Sequence, residues 1–160
     1  MTDVDKALAR LGLSLPAVVP PLAAYQPAVR SGDYVYTSGQ LPMVDGSLVA
    51  TGKVGAEVDP GQGYDLARVC ALNALAAVAS IAPLDQVVRI VKVVGFVASA
   101  PGFTGQPAVV NGASELLGEV FGEAGKHARS AVGVSELPLG APVEVELIAQ
   151  LAPSGKTVLA

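Results

Sequence analysis

An α+β domain, with one sheet and two long helices packed on one of its faces, is what the order of patterns along this chain predicts. Three observations point there. Two hairpin signatures stand in the first third, around Ser31-Gly32-Asp33 and Asp45-Gly46. From Asp59 onward strand-like and helix-like segments alternate, and both helical stretches carry their apolar residues at three-to-four spacing. At 160 residues the chain fits one domain, large enough to bury a core without disulfides or metals.

Each element has its own local reason. Thr2 caps a short helix to Arg10, with Val4, Leu8 and Leu11 on one face and Gly12 as the stop. Pro16, Pro20 and Pro21 then force extended chain, so residues 1–20 read as an appendage to a main domain over 21–152, with 153–160 as a tail. Pro27-Ala28-Val29-Arg30 and Tyr34-Val35-Tyr36-Thr37 form the first hairpin, and Leu41 to Val44 with Leu48-Val49 the second. Asp59-Pro60 opens a helix running to about 82, with Leu66, Val69, Cys70, Asn73 and Ala77 along one stripe. Residues 85–99, rich in Val and Ile and apolar on both faces, read as a strand inside the sheet. A second helix is expected over 108–124, with Val109, Ala113, Leu116, Leu117, Val120 and Phe121 inward, followed by strands at 128–134 and 143–152.

Hydrophobic residues make up 51% of the chain but aromatic ones only 4%, so the core has to be built from Ala, Val and Leu with backbones in close approach. Charged residues reach only 15%, low for a soluble domain, which predicts that other copies of the chain cover part of its apolar surface. The ten Lys and Arg are scattered singly against fourteen Asp and Glu, for a net charge of −4, and a nucleic-acid partner is therefore not expected. The acidic start Met1-Thr2-Asp3-Val4-Asp5 is unlike a secretion signal, and Arg89 and Lys92 interrupt the most apolar run. No membrane partner is expected, and a cytoplasmic location is.

Cys70, within a helix, reads as a small buried hydrophobe. His127 is the single histidine and no cysteine pair accompanies it, so no metal site is expected. Gly155-Lys156-Thr157 copies the tail of a phosphate loop without the earlier glycine or the following helix, and is a chance match. The stronger signal is Ala128-Arg129-Ser130-Ala131 with Val143-Glu144-Val145-Glu146, which puts a guanidinium and a carboxylate at facing ends of two apolar strands taken as neighbours. Arg129 either pairs with Glu144 or Glu146 across those strands or serves a carboxylate-bearing ligand. Glu144 and Glu146 share one face, so one of them could orient and deprotonate a water. A further stretch, Thr37-Ser38-Gly39-Gln40-Leu41-Pro42, ends a strand in small polar residues with no packing duty.

Tyr25, Thr37-Ser38-Gly39-Gln40-Leu41-Pro42, Ala71-Leu72-Asn73-Ala74-Leu75, the 87–97 strand, Asn111, Ala128-Arg129-Ser130, Leu137-Pro138 and 143–149 together resemble the Rid (YjgF) family of reactive-intermediate enamine/imine deaminases, also labelled L-PSP endoribonucleases. The likeness spans about 21–151. It implies a chorismate-mutase-like fold assembled as a homotrimer, with ligand clefts between subunits and no cofactor. It also implies that Arg129 holds the substrate carboxylate and Glu144 positions the attacking water, with Tyr25, Ser38, Gly39 and Asn111 as substrate-binding positions. The implied reaction converts small 2-imino acids to 2-oxo acids and ammonia. The alternatives are a small-carboxylate-binding trimer without turnover and, from the older label, an endoribonuclease. The sequence departs from the common pattern at Ala131, where a cleft cysteine is usual, at His127, where proline is usual, and in the extra segment 1–20, as in a divergent subgroup.

Overall fold

The computed structural model describes residues 1–153 apart from Val19 and Leu22; the expected tail from 154 on, with Gly155-Lys156-Thr157, lies outside the described residues. Helix α1 (Asp3–Arg10) is followed by hairpin strands β1 (Ala28–Ser31) and β2 (Tyr34–Thr37), then by a small hairpin of β3 (Met43–Val44) and β4 (Ser47–Leu48). Helix α2 (Pro60–Ala79), strand β5 (Val87–Ala98), helix α3 (Gln106–Phe121) and strands β6 (Ala128–Val134) and β7 (Val143–Leu151) complete the order.

The main sheet runs β1-β2-β7-β5-β6, and β3-β4 stand apart. A strand followed by a crossover helix returns parallel, so β5 and β6, joined through α3, pair in parallel. The other pairings in the sheet are antiparallel. Helices α2 and α3 pack on each other and on one sheet face. Leu66, Cys70, Ala74, Val109, Leu116 and Leu117 bury there against Ile90, Val93, Val97, Val143, Val145 and Leu147. The other face of β5 is only half-buried at Val94 and Phe96, so that strand is interior to the sheet but covered on one side alone.

The low aromatic content is answered by backbone contact. A Cβ on Gly112 would overlap the carbonyl oxygen of Tyr64, and one on Gly95 would press into Val110. Close approach of this kind is what small residues permit. On the outer surface the same helix pair is tied by Tyr64 to Glu115 and by Arg68 to Glu119; the bond to Glu115 holds the Tyr64 hydroxyl above its usual pKa.

Helix α1 starts on a reciprocal cap, the Thr2 hydroxyl accepting from Asp5 N–H and the Asp5 carboxylate from Thr2 N–H. Its Val4 and Leu8 belong to the same core as the sheet, with α1 packed on α3. Boundaries shift by two or three residues from the sequence expectation. Helix α2 stops at Ala79 with Ser80 bonded back to Ala77, and a 3-10 turn at Leu84–Gln86 delays β5. Helix α3 starts earlier because Pro107 occupies its first turn, and Gly122, at φ 59°, turns the chain out before 124. No helix among the described residues is long and apolar enough to cross a membrane.

Candidate functional site

The predicted site residues fall into two groups, not one. Strands β6 and β7 are not neighbours: β5 lies between them, and Val93 faces both Arg129 and Leu147 while Phe96 faces both Val132 and Glu144. Arg129 therefore shares the helix-covered face with Val93 and Leu147, whereas Glu144 shares the opposite face with Phe96 and Val132. The cross-strand ion pair considered for them does not form. The sequence order β6 then β7 suggested adjacency, but the parallel crossover through α3 places β6 outside β5 and leaves the other edge of β5 to β7.

Arg129 turns instead to α3. Its guanidinium donates to Asn111 Oδ1 at 2.8 Å, to Ser114 Oγ at 3.1 Å and to the Pro107 carbonyl at 3.4 Å. Asn111, predicted to touch substrate, thus accepts from the guanidinium in this chain. These acceptors are neutral, so the fork keeps its full charge in an open depression of Ser114, Lys126, His127 and Arg129. Burial holds the His127 pKa below the usual value against the opposing effect of its bond with the Ala128 carbonyl, and the Arg129 charge lowers it further.

Glu144 lines a cavity of about 440 Å3 with Tyr25, Gly39, Leu41, Met43 and Leu139. A Cβ on Gly39 would overlap Glu144 Oε1, so the absent side chain is what makes room for the carboxylate. Burial pushes the Glu144 carboxyl above the ordinary glutamate range, and the neighbouring charge of Glu146 adds to the shift. Such a carboxylate is a better proton acceptor than an exposed one.

The Thr37-Ser38-Gly39 corner has structural duties that its sequence did not reveal. The Ser38 hydroxyl donates to the Gln26 carbonyl at 2.6 Å, and Thr37 Oγ1 accepts from Leu147 N–H at 3.0 Å. Beyond the corner, Gln40 exchanges two backbone bonds with Val145. Asn73, grouped with the apolar stripe of α2, is buried and donates from Nδ2 to the carbonyls of Leu41 and Met43, each at 3.0 Å. It pins the loop that forms one cavity wall. A polar amide inside an Ala-rich stripe was the available signal, because buried amides are paired. Leu41, Met43, Leu139 and Ser114 carried no such signal.

The fold defines a small α+β domain, one sheet with two helices on one face, and Glu144 opens on a cavity in it. Over residues 5–151 the chain matches the family model described as "YjgF/chorismate mutase-like, putative endoribonuclease", and it belongs to that family. It is similar to Protein TCP17 of Trypanosoma cruzi, 47% identical over 146 residues that cover 90% of this chain and 91% of that one. Among solved structures it resembles protein Atu1372 of Agrobacterium tumefaciens, at 43% identity and TM-score 0.87, over 94% of this chain and 93% of that one. It also resembles E. coli TdcF with bound serine, at 27% identity and TM-score 0.57, over 86% of this chain and 93% of that one. The main chain thus follows Atu1372 much more closely than TdcF.

Proposed function

We propose that this chain is an imine/enamine deaminase-like hydrolase of small 2-imino acids, acting without a cofactor in clefts between the subunits of a homotrimer. The observation that carries the reading is Glu144, a half-buried carboxylate with a raised pKa at the wall of a ligand-sized cavity. An imine carbon is already electrophilic, so the protein has only to orient the substrate and activate one water. Glu144 takes a proton from that water as its oxygen bonds to the imine carbon. That proton passes to nitrogen to give a carbinolamine, whose hydroxyl proton then moves to nitrogen as the carbon–oxygen double bond forms and the carbon–nitrogen bond breaks, so imino acid plus water becomes 2-oxo acid plus ammonia.

Arg129 supplies the fork for the substrate carboxylate. It lies on the opposite face of the sheet from Glu144, so the two meet only when a second copy brings its Arg129 to this cavity. The uncovered sheet face, with Tyr36 and Val132 exposed beside half-buried Val94 and Phe96, supports such packing. Serine bound to TdcF, a three-carbon carboxylate bearing nitrogen, supports the ligand class.

The test mixes two variants, Arg129→Ala and Glu144→Gln, each inactive alone. Unfolding and refolding them together restores activity at about a quarter of the sites if each site draws one residue from each of two copies, as random assortment in a closed ring requires. No restoration, with both variants still trimeric, rules out the shared cleft. Ala131 favours one other reading, a carboxylate-binding trimer without turnover, since it leaves no thiol or hydroxyl two residues from the arginine. Binding of pyruvate by a wild type that never accelerates imine hydrolysis decides for it. The endoribonuclease reading rests on the family description, and the net charge of −4 opposes it.

A further inference from the structure

We infer that the cavity beside Glu144 selects 2-imino acids whose side chain is a branched or aromatic hydrocarbon over those whose side chain is a single methyl group. The inference rests on the reading above and adds the substrate's side chain to it. Glu144 is the one charged group among the described residues lining the cavity. The imine carbon has to sit at that end, so the remaining volume receives whatever the substrate carries beyond it. Those walls include Tyr25, Leu41, Met43, Pro138 and Leu139, with Gln40 as a polar neighbour. A cavity of about 440 Å3 is far larger than a methyl group fills. A longer hydrocarbon displaces water from the apolar walls, which a methyl group leaves wet. A second carboxylate would find no cation among the described residues of these walls, the incoming Arg129 being engaged by the first carboxylate, and would face Glu144.

Leu139 is the independent sign. It holds a left-handed backbone at φ 60°, ψ 14°, an arrangement that a residue with a Cβ adopts under strain. Leu139 is 60% exposed, and Tyr25, which also lines the cavity, is 49% exposed. The turn that carries Leu139 is fixed at both ends, with Gly52 N–H bonded to the Gly140 carbonyl and Ala141 N–H to that of Pro138. A rigid, strained turn thus presents a large apolar side chain to the cavity mouth. Met43, unbranched and polarisable, adapts to the shape of an occupant on the other side.

The experiment releases imines in situ from leucine and from alanine with an amino-acid oxidase and reads kcat/KM of the full chain by competition with semicarbazide. The expected result is a preference of about tenfold or more for the leucine-derived imine, in line with what hydrocarbon pockets discriminate. Leu139→Gly is the second arm. Glycine takes φ 60° freely, so Tm stays within about 2 °C while the ratio of the two kcat/KM values falls about fivefold. Equal or better use of the alanine-derived imine overturns the selectivity and leaves the deaminase reading standing. If neither imine is accelerated, that reading falls, and titration with the two products decides the selectivity. Binding of 4-methyl-2-oxopentanoate about tenfold tighter than pyruvate upholds it, and equal binding overturns it.

Discussion

Arg129 and Glu144 carry the two charges of the candidate cleft, and the chain treats them in opposite ways. Three oxygens from α3 hold the guanidinium at distances from 2.8 to 3.4 Å. Among the described residues nothing donates to the Glu144 carboxylate, which is confined by the bare backbone of Gly39 and shifted upward by burial. The guanidinium is fixed in place by its three bonds, while the carboxylate is left with room to exchange a proton. Fixed geometry suits recognition of a carboxylate, and a half-buried carboxylate with no protein donor among the described residues suits activation of water. Breaking one end should therefore cost binding, and breaking the other should cost turnover.

The largest effect is expected at Glu144. Glu144→Gln keeps size and removes the proton acceptor, so turnover of a 2-imino acid falls by about 10²- to 10⁴-fold while pyruvate binding persists. Steady-state kinetics beside calorimetric titration checks this, and loss of binding in step with kcat would put Glu144 in recognition instead. Because its pKa is raised, the acid limb of the pH–rate profile should lie above the ordinary glutamate range. Arg129→Lys sharpens the contrast from the other end. Lysine keeps the charge but loses the planar fork, at a cost of about 1.5–3 kcal/mol for a charge-assisted bond, or roughly tenfold to a hundredfold in KM. A change confined to kcat would contradict the division of labour.

Much of the fold was legible because local chemistry and final structure agree. Thr2, Asp59-Pro60 and the Asp45-Gly46 turn stand where capping and turn rules put them, and Asp45 does adopt a positive φ of 50°. The family likeness also named residues that reach the cavity, Tyr25, Gly39 and Glu144. What could not be read was which strands lie side by side. Strand order is decided by crossover geometry and shared burial, so the separation of Arg129 from Glu144 by β5 left no mark on the spacing between them. The duties of Ser38 and Asn73 were hidden for a related reason. Their partners, Gln26 and the carbonyls of Leu41 and Met43, are brought to them only by the folded chain.

Two glycines separate fold from site in the same spirit. Gly112→Ala drives a methyl group into the backbone carbonyl of Tyr64, which cannot move without parting α2 from α3. It should cost about 1–3 kcal/mol, seen as a Tm lower by roughly 2–10 °C, with the activity of the folded fraction retained. Gly39→Ala meets only the end of a flexible side chain. Here Tm should hold within about 2 °C while activity drops about tenfold, because the carboxylate swings away from its place. Matching losses of Tm in both variants would show that Gly39 serves packing and not the carboxylate.

The smallest expected effect is one of stability, and its sign follows from the Glu144 pKa. A carboxyl whose folded pKa is raised favours folding while it is protonated, below its unfolded value, and loses that contribution as pH rises through the folded value. At neutral pH the ionised Glu144 is therefore a burden on the fold, because burial penalises its charge more than solvent does in the unfolded chain. Glu144→Gln removes the charge. Its Tm should exceed that of the wild type at pH 7, and the gain should disappear once the buffer is acid enough to protonate the residue in both states. Thermal melts of the two proteins across that range give the comparison directly. A wild type more stable than the variant at pH 7 would mean that the carboxylate is held by favourable partners, and Glu144 would then resemble Arg129 more than it contrasts with it.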